Sequence, residues 1–326
     1  MESQNKPLRL VMMGTGHFAL PAFRSLYDSP HEVVGIFTQP DRLGKGHHQH
    51  RHPLKELAEE NKTPVFQPQN VNSPESLSRL RALDADLCVV AAYGQILSAE
   101  LLEIPKLGAI NLHASLLPKY RGAAPVLYAI LNGETETGIT IFQIEPKLDA
   151  GPILDVEKTM ILPKETTGEL TERLSHQAVP VLQRVLEGFR KGTLRKTIQK
   201  TDRVTKAPSL KKSAGIIDWS KTAKEIACHI RAMQPWPNPF TFLNLSDGRQ
   251  LRAIISDVEV CAEEILEDST GREPGTITKC DGKNLLVQTG EGQLQILELK
   301  PEGKPSMPIA SFLNGYALEA GDRFGK

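Results

Sequence analysis

The stretch Ala109-Ile110-Asn111-Leu112-His113-Ala114-Ser115-Leu116-Leu117-Pro118-Lys119-Tyr120-Arg121-Gly122 decides how this chain is read. It opens as a short apolar run of strand length and breaks at Pro118, as a buried strand followed by a turn does. Side chains alternate faces along a strand, so Asn111 and His113 project from the same one. Two polar side chains side by side near the carboxyl end of a strand in an open parallel sheet mark a candidate active crevice. A third polar group is expected nearby, to orient the imidazole or exchange a proton with it. Asp149 is the candidate: Thr137-Gly138-Ile139-Thr140-Ile141-Phe142-Gln143-Ile144 reads as a strand that leaves through Lys147-Leu148-Asp149-Ala150-Gly151. A lone Asn or His at a strand end also serves as a satisfied, half-buried polar residue, so the weight rests on the linked set.

Upstream, Leu8 to Met13 reads as a first strand, and Gly14-Thr15-Gly16-His17-Phe18-Ala19 follows it before a helix-like stretch through Leu26. The turn fits the Gly-x-Gly-x-x-Ala form of a dinucleotide fingerprint. However, the second strand, Glu32 to Thr38, lacks an acidic residue at its end for a ribose, since Asp41 comes late. A tight strand-to-helix turn alone explains both glycines. Ser73-Pro74-Glu75 reads as an N-cap with proline at the first helical position, opening a helix to about Ala82. The nearly continuous apolar run Leu87 to Ala92, followed by Tyr93-Gly94, reads as a doubly buried parallel strand. Helices are predicted from Pro125 to Asn132 and from Thr167 to Phe189. This alternation predicts a doubly wound α/β domain with a mostly parallel sheet over residues 1–193.

The character then changes. Arg190, Lys191, Arg195, Lys196, Lys200, Arg203, Lys206, Lys211 and Lys212 face a single acidic residue, Asp202. Residues 194–213 read as a basic linker whose charge can follow a phosphate backbone, with Lys206 and Lys211 as candidate contacts, or as a merely solvated tether. Thr222-Ala223-Lys224-Glu225 forms a capping-box sequence, opening a helix whose Ile226, Ile230 and Met233 share a face. Pro235-Trp236-Pro237 stops that helix. Strand-like runs at Leu251 to Ile255, Leu285 to Thr289 and Leu294 to Leu299, separated by glycine-containing turns, predict a smaller β-barrel over residues 214–326.

At 326 residues the chain exceeds the usual single-core size, and 40% hydrophobic with 24% charged residues is ordinary for a soluble globular protein. The 39 basic and 39 acidic residues cancel, so overall charge names no partner. Cys88, Cys228, Cys261 and Cys280 form no Cys-x-x-Cys pair, which suits reduced thiols better than a disulfide frame or a zinc site. With neither a signal-peptide pattern nor a membrane-length apolar run, a cytoplasmic protein is expected, and the lack of an Arg-rich, Ser-rich leader favours a bacterial cytosol. A monomer with no membrane partner is the expected state. The segment from Gln39 to Lys55, which includes Arg42, Lys45, Arg51 and four histidines between residues 47 and 52, has no periodicity and reads as a long exposed loop. Its cations suit phosphate contact. Neither Cys nor carboxylate lies among its histidines and their spacing suits no structural zinc site, so no metal is expected.

Asn111-x-His113-x-Ser115-Leu116-Leu117-Pro118 with a downstream Leu148-Asp149-x-Gly151 resembles the signature of the folate-dependent formyltransferase family. The resemblance implies a Rossmann-like N-terminal domain that binds no dinucleotide, followed by an OB-like β-barrel. Its catalytic residues would be Asn111, His113 and Asp149. Tyr93, Gly94 and Ser115, Leu116, Leu117 and Pro118 would line the site of 10-formyltetrahydrofolate, the co-substrate. Ala207-Pro208, Ile217-Asp218-Trp219, Pro235-Trp236-Pro237 and Lys300-Pro301-Glu302-Gly303-Lys304 resemble the second domain of the members that act on methionyl-tRNA. In those members the first loop enters the tRNA acceptor stem, which implies Arg42, Lys45 and Arg51 as tRNA contacts. Two departures stand out: Gly44-Lys45-Gly46 replaces Gly-Arg-Gly, which keeps charge but loses the bidentate fork, and Lys147 and Ala150 replace the more usual Gly and Thr.

The reaction so implied moves a formyl group to the amino group of initiator methionyl-tRNA. Asn111 and His113 would hydrogen-bond the tetrahedral oxyanion, and Asp149 would orient the His and move the proton. Three other readings stay open on the sequence: sugar formylation, a nicotinamide-dependent oxidoreductase resting on the first glycine turn, and a non-catalytic RNA-binding protein resting on the basic stretch and the barrel.

Overall fold

The structure, a computed structural model, describes residues 6–41, 52–245, 248–261 and 272–325. They divide into two compact units. One takes the described residues through Val126, Glu136–Met160 and Leu170–Ser209; the other takes Leu127–Thr135, Ile161–Glu169 and the described residues from Leu210 onward.

The first part of the chain alternates as expected: β1 (Arg9–Gly14), α1 (Leu20–Tyr27), β2 (Glu32–Phe37), α2 (Pro53–Glu60), β3 (Val65–Phe66), α3 (Pro74–Ala82), β4 (Leu87–Ala91), α4 (Ala99–Leu102), β5 (Ala109–His113), α5 (Pro125–Leu131), β6 (Glu136–Gln143), β7 (Ile153–Met160) and α6 (Thr167–Lys191). The sheet runs β3-β2-β1-β4-β5-β6-β7. It is parallel from β3 to β5, while β6 and β7 are antiparallel to their neighbours. Every residue of β4 is buried, as a strand covered on both faces requires. The Ser73 hydroxyl caps α3 by accepting the Ser76 N–H. Each glycine of the first turn has its own structural reason, packing for Gly14 and backbone conformation for Gly16. A Cβ on Gly14 would stand 2.8 Å from the Ala91 carbonyl oxygen, and Gly16 has φ 76°, a region that glycine enters freely.

The antiparallel β6 matters for the candidate site. His113 lies opposite Thr140, and Ile110 opposite Gln143, so β6 leaves the sheet at the end of β5 away from His113. Asp149 reaches the imidazole only because the chain after Gln143 folds back along β5.

The basic stretch is not a solvated tether over residues 197–207. Thr197 exchanges both backbone hydrogen bonds with Ile153, each 2.8 Å, the Arg121 N–H donates to the Thr205 carbonyl at 2.9 Å, and the Ala207 N–H donates to the Arg121 carbonyl at 2.7 Å. Uncharged residues among the cations (Thr197, Thr205, Ala207) make these contacts, while Lys200, Arg203 and Lys206 stay exposed.

The second unit contains α7 (Ala223–Ala232), β8 (Phe240–Asn244), β9 (Gln250–Val260), β10 (Ile277–Cys280), β11 (Leu285–Gln288), β12 (Gln293–Pro301), β13 (Met307–Pro308), α8 (Ile309–Gly315) and β14 (Arg323–Phe324). The antiparallel order is β10-β11-β12-β9-β8-β14, with β13 also on β12. Hydrogen bonds from Phe324 N–H to Gly275 O and from Ile277 N–H to Asp322 O, both 2.8 Å, tie the two ends of this path. The sheet therefore nearly closes into a barrel, which removes exposed edges. Helix α7 begins with the expected reciprocal capping box between Thr222 and Glu225 and buries Ile226, Ile230 and Met233. In the barrel core the Trp219 ring stacks on Phe324 at 5.4 Å, and its indole N–H reaches the Thr241 hydroxyl at 3.0 Å. Among the described residues no helix is long and apolar enough to cross a membrane.

Both tryptophans, Trp219 and Trp236, lie in this unit, so indole fluorescence reports its unfolding. Thr222→Ala, which removes a cap, is expected to cost about 1 kcal/mol. Phe324→Ala, which empties a fully buried ring site, is expected to cost about 3 to 5 kcal/mol. Denaturant midpoints followed by fluorescence check both; equal costs would contradict the packing described.

Candidate active site

The end of β5 and the turn that follows it set the site. Asn111 is half-buried and carries two N–H donors. His113, on the same strand face, is 5% exposed, and the ring of Phe142 meets its imidazole edge-on at 6.2 Å. Its Nε2 stands 2.9 Å from the Tyr120 carbonyl oxygen. A carbonyl only accepts, so Nε2 carries the proton.

The other ring nitrogen, Nδ1, faces the Asp149 carboxylate at 3.9 Å, beyond hydrogen-bonding distance. The imidazole is thus oriented by the Tyr120 carbonyl rather than by Asp149, which differs from the expectation. Burial pulls the His113 pKa below the ordinary imidazole value; the Asp149 carboxylate and the Tyr120 carbonyl oppose that shift, and the Arg121 guanidinium adds to it. The resting imidazole is neutral, with a lone pair on Nδ1 that can take a proton and donate it afterwards.

Asp149 has φ 46°, left-handed backbone that Asp tolerates better than most residues. Its Oδ2 accepts the Gly122 N–H at 2.7 Å. Gly122 must be glycine: its φ is 129°, and an added Cβ would stand 2.5 Å from the Ala207 carbonyl oxygen. Gly151 has a similar cause, since a Cβ there would lie 1.9 Å from the Gln143 carbonyl oxygen. Neither departure from the family pattern, Lys147 or Ala150, falls on that closed position. Tyr120, at φ 61°, is pinned by its N–H on the Thr205 hydroxyl at 2.8 Å. Sequence reading missed the parts played by Tyr120, Arg121 and Thr205. Their signals were a short motif extension and uncharged residues within a cationic run.

The structure brings Asn111, His113 and Asp149 to one place and distributes the expected folate residues differently. The Tyr93 side chain is in the core, and its carbonyl already accepts from the Thr15 hydroxyl at 3.2 Å and the Gln39 amide at 3.0 Å. Gly94 is exposed. The Ser115 hydroxyl donates to the Lys119 carbonyl at 2.7 Å, and the Thr140 hydroxyl links the Ser115 carbonyl, at 2.6 Å, with the Leu117 N–H, at 3.2 Å. Ser115 and Leu117 are buried, whereas Leu116 and Pro118 keep accessible surface. Lys206 and Lys211 are exposed; Arg42, Lys45 and Arg51 lie outside the described residues. The Asp41 carboxylate, late for a ribose, accepts Lys55 and Gln67, each at 2.9 Å. Among the described residues no group of His, Cys, Asp or Glu is arranged to hold a metal ion.

The family model "Formyl transferase" matches residues 8–186, and "Formyl transferase, C-terminal domain" matches residues 209–317. Methionyl-tRNA formyltransferases of Methylococcus capsulatus, Geobacter sulfurreducens and Desulfotalea psychrophila are 42%, 42% and 40% identical to the chain, over 98% of it in each case and over 100%, 97% and 96% of their own lengths. Among solved structures, the N-formyltransferase of Helicobacter canadensis in complex with folinic acid and dTDP-3-aminofucose gives a TM-score of 0.65 at 17% identity, over 89% of this chain and 98% of that one. HypX of Aquifex aeolicus in complex with tetrahydrofolic acid gives 0.60 at 15% identity, over 94% of this chain and 47% of that longer one. At these identities the structural likeness concerns the fold. Matched by both domain descriptions and by relatives of this similarity along its length, the chain belongs to the formyl transferase family, in the group of the methionyl-tRNA formyltransferases.

Proposed function

We propose that the chain transfers the formyl group of 10-formyltetrahydrofolate to the amino group of methionyl-initiator tRNA, giving N-formylmethionyl-tRNA for translation initiation. The observation that carries the chemistry is a buried His113 with its Nε2 proton committed to Tyr120 and its Nδ1 facing Asp149 at 3.9 Å. The choice of acceptor rests on the end-to-end relatives. An α-amino group has a reference pKa of about 7.7 to 8.0, which the adjacent ester lowers, so the nucleophile is largely neutral at neutral pH.

The amine nitrogen attacks the formyl carbon, and the carbonyl electron pair moves to oxygen. Asn111 donates to this oxyanion; loss of one such donor costs roughly 3 to 4 kcal/mol of transition-state stabilisation. The new N–C bond leaves the amine positively charged, and His113 Nδ1 takes its proton. The imidazolium forms beside the Asp149 carboxylate, donates to the oxyanion, and passes the proton to the folate nitrogen, directly or through water, as the old C–N bond breaks. Tetrahydrofolate and the formylated ester leave, and His113 is neutral again. On this reading Asp149 stabilises the imidazolium instead of orienting the resting ring.

Leu116, Pro118 and the Gly94 backbone form the accessible walls for folate in this reading, held by Tyr93, Ser115 and Leu117. Lys206 and Lys211, with Arg42, Lys45 and Arg51 of the first loop, meet tRNA phosphates. The accompanying domain assignment is a catalytic domain over 1–193, a basic linker over 194–213 and a tRNA-binding barrel over 214–326. The enzyme acts as a cytoplasmic monomer without a metal.

Acid-precipitable transfer from labelled 10-formyltetrahydrofolate is expected with methionyl-initiator tRNA and not with elongator methionyl-tRNA or a nucleotide amino-sugar. Transfer to the sugar alone would refute the acceptor assignment. Replacing Lys206 or Lys211 by alanine should weaken tRNA binding and reduce its salt slope by about 1 each.

Asn111→Ala, His113→Ala and Asp149→Ala are each expected to lower turnover at least about a hundredfold in a protein that remains folded. Near-normal turnover in His113→Ala would reject its assigned role.

A further inference from the structure

Gln199 lies in the basic stretch, yet it is only 6% exposed, and its carboxamide is fully engaged. Its Oε1 accepts Nε and Nη2 of Arg121 at 3.2 and 2.7 Å. Its Nε2 donates to the carbonyl oxygens of Asp149 and Gly151 at 2.9 and 2.8 Å. Two accepted and two donated bonds are the working capacity of a carboxamide. Because a guanidinium only donates and a carbonyl only accepts, the amide has one orientation here.

The two carbonyls it holds stand on either side of Ala150, so Gln199 fixes the turn from which Asp149 projects. That turn needs fixing: Asp149 is in the left-handed region at φ 46°, and the adjoining Gly151 leaves no room for a Cβ beside Gln143. Asp149 is therefore held from two directions, its carboxylate by the Gly122 N–H and its backbone by Gln199. Arg121, which anchors Gln199, sits between the residue that holds His113 and the residue that holds the Asp149 carboxylate. The charged groups facing His113 are Asp149, on the chain after β6, and Arg121, on the chain after β5.

Resting on the reading of His113 and Asp149 as the proton-handling pair, we propose that Gln199 is a positioning residue for Asp149. It sets how close the carboxylate stands to Nδ1 of His113, and so how readily the imidazole holds the proton it receives. A residue of the basic stretch thereby completes the catalytic constellation without touching substrate.

The test compares full-length Gln199→Ala, Gln199→Glu and Asp149→Ala with the parent chain. Glutamate keeps an acceptor for Arg121 but offers no N–H to the two carbonyls. Both Gln199 variants are expected to lose at least about tenfold in kcat, with KM for folate and tRNA changed less than about twofold. In Gln199→Ala the His113 imidazole, titrated by NMR in the unliganded protein, should reach its midpoint at a lower pH than in the parent. The sign follows from Asp149: its carboxylate raises the His113 pKa against burial, so loosening it lets burial prevail. Should the alanine variant unfold, the glutamate variant carries the comparison in kcat against KM alone, because its carboxylate adds negative charge beside Arg121 and by itself raises the His113 midpoint. Unchanged kcat and an unchanged His113 midpoint beside an inactive Asp149→Ala would overturn this proposal alone. A fully active Asp149→Ala would overturn the reading of the site, and this proposal with it.

Discussion

The hydrogen bond from His113 Nε2 to the Tyr120 carbonyl, 2.9 Å long, decides what this imidazole can do. A buried His left without partners would pay the full desolvation cost of a polar group. Here one nitrogen is satisfied by an acceptor that cannot donate, which assigns the tautomer and leaves the other nitrogen for chemistry. The carbonyl is in place because Tyr120 takes left-handed backbone, and Tyr120 is held there by Thr205. Its two successors carry the arrangement further: Arg121 binds Gln199 and Gly122 binds the Asp149 carboxylate. Three consecutive residues thus hold three side chains that are distant in sequence.

The sheet explains why such a brace is needed. Up to β5 the strands are parallel, and the end of β5 presents Asn111 and His113 in the manner of α/β proteins generally. The return of β6 is antiparallel, so the acidic residue that follows it emerges at the other end of β5 and must come back along the strand. A loop that travels so far holds a carboxylate accurately only if its backbone is pinned. Residues 197–207 supply that pinning from the stretch that also exposes Lys200 and Lys206.

Legibility in the sequence followed the strength of the local physics. Buried runs such as Leu87 to Ala91 and the caps at Ser73 and Thr222 were readable because hydrophobic continuity and side-chain capping are local. β3 and β14 have two residues each, too few for any periodicity, and β7 alternates weakly because it is nowhere fully buried. Asn111 and His113 were legible from strand spacing, and Asp149 as the polar group after the next strand. The division of labour between Tyr120 and Asp149 was not, since it depends on a backbone carbonyl whose direction no side-chain pattern records. Gln199 and Arg121 were hidden for a related reason: in a run of cations a solvated surface is the natural reading, and only tertiary contacts show that one amide there is buried.

The measurement that bears most directly on this account is nitrogen-15 NMR of the His113 imidazole in the free protein at neutral pH, assigned by its loss in His113→Ala. The expected result is a neutral ring with the proton on Nε2 and none on Nδ1. A proton on Nδ1, or an imidazolium at neutral pH, would contradict the account, because the nitrogen facing Asp149 would then have no lone pair with which to receive the proton of the attacking amine.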